Sequence, residues 1–141
     1  MRYLIGGGES VIFHGHARLT GDVDFFFDRT DANARALFEA LVEFWGGGVP
    51  NIARHDELLV EGLILQFGRP PNRIDLLNQI GGVAFDEAWA SRAVASITRA
   101  PEEIPVHFLG LDALIRSKEA AGRPRDLEDI KFLRRAADRR I

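Results

Sequence analysis

At 141 residues, 46% hydrophobic and 28% charged, the chain is the size of one ordinary domain and carries enough apolar material for a sizeable core, which argues against disorder. It has no cysteine, so a disulfide framework and a thiolate zinc site are excluded, and any metal must be held by oxygen or histidine. A net charge of -3 argues against a chain whose main role is to coat nucleic acid.

The start, Met1 to Ile5, is too short an apolar stretch for a signal peptide, and no segment approaches ~18 apolar residues. A cytoplasmic location with no membrane contact is expected. Charge is uneven, however. From Arg123 to the end, seven basic residues stand against four acidic ones, which reads either as a solvated helix face or as a contact for an anionic substrate or partner.

Glycine and proline punctuate the chain into short alternating strands and helices, which predicts a layered α/β or α+β domain with a mixed sheet. The expected domain spans residues 1–141, with a core over 1–110 and a helical segment over 111–141. Tyr3 to Ile5 reads as a strand ending at Gly6-Gly7-Gly8, and Glu9 to His14 as one or two helical turns. Asp22 to Phe27 reads as a strand buried on both sides, with Val23, Phe25 and Phe27 on one face and Asp22, Asp24 and Phe26 on the other. Thr30 is placed as an N-cap before a helix over Asp31 to Trp45, which Gly46-Gly47-Gly48 ends. Leu58 to Val60 and Leu63 to Phe67 look like a hairpin or two short strands, and Arg73 to Leu77 like another strand. A short helix around Asp86 to Arg92 and strands at Val94 to Thr98 and Val106 to Leu109 follow. Two helices close the chain: Asp112 to Ala121, stopped by Gly122, and Arg125 to about Arg139, with Pro124 at its first turn.

The chemistry resides in three aspartates. Asp22 and Asp24, two apart on a strand, project from one face with Cβ atoms roughly 7 Å apart, a spacing that suits a shared cation or a cation pair. Two carboxylates beside a run of aromatics are unfavourable unless neutralised. Asp75 stands on a separate apolar strand; if that strand neighbours the first, three carboxylates converge on one sheet edge, as two divalent ions gripping a triphosphate require. The competing reading makes each aspartate a turn residue or salt-bridge partner. Gly6-Gly7-Gly8 supplies unhindered backbone N–H groups at a helix start that could cradle phosphate oxygens, without the Lys-Ser/Thr of a P-loop or the spacing of a dinucleotide fingerprint.

The stretch from Leu4 to Phe26, with Gly7-Gly8 followed by Asp22-x-Asp24, resembles the polymerase-β-like nucleotidyltransferases. Their pattern is a Gly-Gly or Gly-Ser pair, a spacer, Asp-x-Asp and a third carboxylate on a later strand. The wording from His14 to Asp24, the Arg73-Ile-Asp-Leu-Leu77 strand, the Phe85-Asp-Glu-Ala-Trp89 segment and Lys118-Glu-Ala-Ala-Gly-Arg-Pro-Arg-Asp126 look like a group of minimal bacterial nucleotidyltransferases related to antitoxin and abortive-infection proteins. The resemblance implies a nucleotidyltransferase core of the polymerase-β type with two C-terminal helices, and Mg²⁺ or Mn²⁺ with a nucleoside triphosphate as substrate. It implies that Gly7 and Gly8 hold triphosphate, that Asp22 and Asp24 bind both metals, and that Asp75 completes one metal site and acts as base toward an acceptor hydroxyl. The acceptor is open among a protein side chain, a tRNA end and a small molecule, and a toxin or antitoxin protein is a candidate partner. A carboxylate at Glu9 would repel triphosphate unless it points away.

Lys118 shares a helix face with Leu114 and Ile115. It is expected to be drawn toward the core and reads either as a charge supporting phosphate or the aspartates, or as a snorkelling lysine or an ion-pair partner of Asp126. Asp126 and Asp129 occupy the first turn of the last helix, where the dipole explains them without catalysis, while the resemblance raises Asp126 as a candidate. Arg18 and Thr20 are candidates to contact phosphate or orient the aspartates, against turn-forming or surface roles. His14 reads as a structural hydrogen-bond partner near the site, because magnesium prefers oxygen. Two other functions compete. Aspartyl-phosphate phosphotransferases also place Asp-x-Asp after a strand, but there the glycines do not come first. An antitoxin-like or partner-binding module would keep the fold with little turnover.

Overall fold

The computed structural model of the protein describes residues 1–15, 22–69, 71–99 and 101–139. The six strands among them are β1 (Tyr3–Gly6), β2 (Asp22–Phe27), β3 (Ile64–Phe67), β4 (Arg73–Leu77), β5 (Ala93–Arg99) and β6 (Glu102–Phe108). They form one mixed sheet in the order β3-β4-β2-β1-β6-β5. The β1–β2, β3–β4 and β5–β6 pairs are antiparallel, whereas β2–β4 and β1–β6 are parallel. The described helices are α1 (Gly7–Phe13), α2 (Asp31–Trp45), α3 (Phe85–Ala90), α4 (Leu111–Ala121) and α5 (Pro124–Arg139).

The alternation of β2 distributes its phenylalanines between two cores. Phe26 faces a cluster with Leu4 of β1, Val11 of α1, Ala88 of α3, Leu114 of α4 and Leu133 of α5. Phe27 faces the opposite cluster, with Ala34 and Leu37 of α2, Leu65 of β3 and Leu76 of β4. The result is a sheet between two layers of helix, with α1, α3, α4 and α5 on one face and α2 on the other. The expected α+β layering and mixed sheet are therefore present.

Most element limits follow local chemistry. The Thr30 side chain accepts a hydrogen bond from the Asn33 amide, and Gly46 closes α2 in the left-handed conformation at φ 68°. Gly122 closes α4 in the same way at φ 63°, and Pro124 opens α5. The strand expected at Leu58 to Val60 is not one: His55–Leu59 is a 3₁₀ turn. The Glu57 carboxylate accepts from the Ala53 and Arg54 amides at 2.6 and 2.9 Å, which holds this segment in a turn, while Leu58 is buried in the α2-side core. No helix among the described residues is long and apolar enough to cross a membrane.

Candidate functional site

β2 and β4 run parallel with Asp22 opposite Arg73 and Asp24 opposite Asp75, so these four side chains rise together from the α1-side face of the sheet. The three carboxylates offer oxygens that all lie within 4.8 Å of one another. β2 and β4 are inner strands, so the carboxylates converge on the sheet's face and not at its edge, as the sequence reading had it.

Arg73 occupies part of this cluster. Its Nη2 donates to Asp22 Oδ2 at 2.7 Å and to Asp75 Oδ2 at 3.3 Å. Its Nε lies 3.1 Å from Asp75 Oδ1, an ion pair without hydrogen-bond alignment, so both atoms are buried and unsatisfied. Asp22 foremost, through that hydrogen bond, raises the Arg73 pKa. Among the described residues, one guanidinium against three carboxylates leaves the cluster net negative. Asp24 carries the imbalance: burial first, then the charges of Asp22 and Asp75, push its carboxyl up to about 6. Its Oδ1 is buried without a hydrogen-bond partner. An orphaned carboxylate oxygen in an all-oxygen donor set fits a hard divalent cation such as Mg²⁺ or Mn²⁺.

β1 brings the glycines to the same place, because Gly6 is the registered partner of Asp24. Gly7 follows at φ +56°, a conformation that favours glycine, and a Cβ there would overlap the Asp24 carboxylate. Two independent constraints therefore demand glycine at this position. Gly8 lies in the first turn of α1, whose opening amides have no partner within the helix. A cleft of about 150 Å³ opens here, bounded by Gly6, Gly7 and Asp24 on the sheet side and by Lys118, Arg123 and Asp126 on the α4–α5 side. Glu9 is not part of its wall.

Lys118 is buried with its ammonium 3.3 Å from Asp126 and 3.2 Å from Asp129, both of which are 0% exposed. The ion-pair reading of Lys118 is thus realised, and it involves Asp129 as well as Asp126. Burial works to raise the Asp126 carboxyl. The Arg123 hydrogen bonds and the Lys118 charge outweigh that and hold it below the usual carboxylate range. Asp126 lies in the first turn of α5, as the helix-dipole reading has it, and both Asp126 and Asp129 are in addition buried partners of Lys118.

His14 is buried, its Nε2 2.7 Å from the Leu109 carbonyl, in the structural role expected of it. Arg18 and Thr20 lie outside the described residues. Sequence reasoning missed two residues at the site. Arg73 stands two before Asp75 on one strand and so shares its face, a signal the period-two pattern carries. Arg123 follows the Gly122 cap directly, and only the packing of the α4–α5 turn over the sheet brings it to the cleft that Asp24 also lines. Compared with known proteins, the chain matches no family model and no curated protein.

Proposed function

We propose that the protein is a metal-dependent nucleotidyltransferase with a core of the polymerase-β type, transferring a nucleoside monophosphate from a nucleoside triphosphate to an acceptor hydroxyl. The observation that carries this reading is the meeting of Asp22, Asp24 and Asp75 within 4.8 Å beside a turn that must be glycine at Gly7. The Leu4 to Phe26 resemblance points the same way.

In the reaction the acceptor oxygen forms a bond to the α-phosphorus as the bond from that phosphorus to the bridging oxygen of the pyrophosphate breaks. Pyrophosphate leaves with the electron pair. Divalent cations supply charge neutralisation for the triphosphate and polarisation of the acceptor. The chain's own residues do the rest. Asp22, Asp24 and Asp75 hold the cations, Asp75 takes the acceptor proton, and the Gly7-Gly8 turn admits phosphate close to the backbone. Positioning and charge dominate such chemistry, so a domain of this size suffices for it.

The test is incubation with α- and γ-labelled triphosphates, Mg²⁺ or Mn²⁺ and cell lysate, beside an Asp22→Ala/Asp24→Ala control. Label from the α-position should appear on an acceptor and vanish in the control. Transfer of the γ-label instead, or labelling that survives the double substitution, rules the mechanism out.

A further inference from the structure

Binding a triphosphate beside three carboxylates requires positive charge that is not already spent within the protein. Among the described residues lining the cleft, the cations are Lys118 and Arg123. Lys118 is committed: its side chain is 7% exposed and sits between two buried carboxylates. Arg123 is 64% exposed. Asp126 accepts from its Nε at 2.7 Å, from its Nη2 at 3.3 Å and from its backbone amide at 3.1 Å. That grip uses one edge of the guanidinium and fixes its plane, leaving the Nη1 side with donors open. Arg123 also lies near enough to Asp24 and Asp22 for their charge to contribute to raising its own pKa, after the larger effect of Asp126.

Asp126 cannot hold Arg123 in this way unless its own charge is stable in the core. The hydrogen bonds from Arg123 itself contribute most to that stability and the Lys118 charge adds to it, with Asp129 on the other side of Lys118. The four groups are two cations and two anions; Lys118, Arg123 and Asp126 all border the cleft, and of the two cations Arg123 is the exposed one. An arginine pre-oriented by a buried carboxylate is suited to planar recognition of phosphate oxygens, with little ordering required on binding.

From this arrangement we infer that Arg123 binds the polyphosphate of the nucleotide, on the pyrophosphate portion that leaves, with Lys118, Asp126 and Asp129 as its buried brace and not as phosphate ligands. The inference rests on the nucleotidyltransferase reading. The α-phosphate must lie at the aspartates on the sheet side, which leaves the far wall of the cleft to the β- and γ-phosphates.

Calorimetric titration of the full chain with Mn²⁺ alone, with Mg²⁺ complexes of the four nucleoside triphosphates, with Mg²⁺-pyrophosphate and with nucleoside monophosphates tests this in wild type, Arg123→Gln and Arg123→Lys. Arg123→Gln should bind Mn²⁺ and monophosphate as wild type does and lose roughly 10- to 100-fold in affinity for triphosphate and pyrophosphate, the worth of charge-assisted hydrogen bonds. Arg123→Lys, which keeps the charge and safeguards folding, should fall between them. If wild type binds triphosphate and pyrophosphate and both variants match it within twofold, the role of Arg123 is overturned while the nucleotidyltransferase reading stands. If wild type binds Mn²⁺ but neither triphosphate nor pyrophosphate, the nucleotide reading fails and this inference falls with it.

Discussion

Asp24 is held between Gly6, Asp75 and its own strand neighbours, with one buried oxygen that no donor among the described residues reaches. Its raised pKa makes a statement about stability. Between about 4 and 6 the folded protein holds a proton that the unfolded chain releases, so in the absence of metal this group's contribution to stability falls as pH rises through that window. Above it the carboxylate is charged and destabilising. Asp24→Asn should therefore stabilise the metal-free protein at pH 8 by on the order of 1 kcal/mol, after allowance for solvent screening of this half-buried group, and abolish divalent binding. Thermal melts of both proteins in chelator from pH 4 to 8 measure it. The gap should close toward pH 4; a pH-independent offset, or a less stable variant at pH 8, contradicts the assignment. The same pattern of charge was partly legible beforehand, since an Asp-x-Asp on a strand ending in three phenylalanines places carboxylates against a core. The proximity of Arg73 was legible too, from its spacing to Asp75.

At the level of elements, the α4–α5 turn decides how the cleft is walled. Gly122 reverses the chain, Pro124 starts α5, and the first turns of that helix place Asp126 and Asp129 where Lys118 of α4 meets them. Lys118→Met should cost about 3–5 kcal/mol, because it removes a buried cation that two buried carboxylates share, a loss far larger than that of an exposed pair. Denaturant unfolding midpoints provide the measure. A loss below about 1 kcal/mol accompanied by loss of triphosphate binding would instead make Lys118 a direct ligand. The helices themselves were readable from caps and periodicity: α2 runs over Asp31–Trp45 as the Thr30 cap and the glycine run required. Leu58 misled because a short apolar run does not distinguish a strand from a turn that buries the same side chains, and the hydrogen bonds of Glu57 settle it.

For the whole molecule, the acidic cluster spans β2 and β4, which pair only when the chain is folded, so a cation bound there binds the native state alone. At a concentration one hundred times the dissociation constant, Mn²⁺ or Mg²⁺ should add about 2.7 kcal/mol and raise the melting temperature by on the order of 10 °C. Differential scanning measurements with and without chelator, at pH 7.5, suffice. An equal rise in Asp22→Ala/Asp24→Ala would place the cation elsewhere, and no rise in wild type would deny the site.

Local patterns in the sequence were enough to determine most of the strands and helices, Leu58 to Val60 excepted, and the shared face of Asp22 and Asp24. These properties depend on backbone conformation and on alternation over a few residues. Only the tertiary structure decided that Asp75 stands directly beside Asp24, that Arg73 ties the carboxylates together, and that Lys118 meets Asp129 as well as Asp126 while Arg123 faces the cleft. Each of these depends on strands or helices distant in the chain being brought into register, and on charges buried between them choosing partners. The glycines and aspartates announced a site; the pairing of β2 with β4, and the packing of the α4–α5 turn over them, gave it walls and a sign of charge.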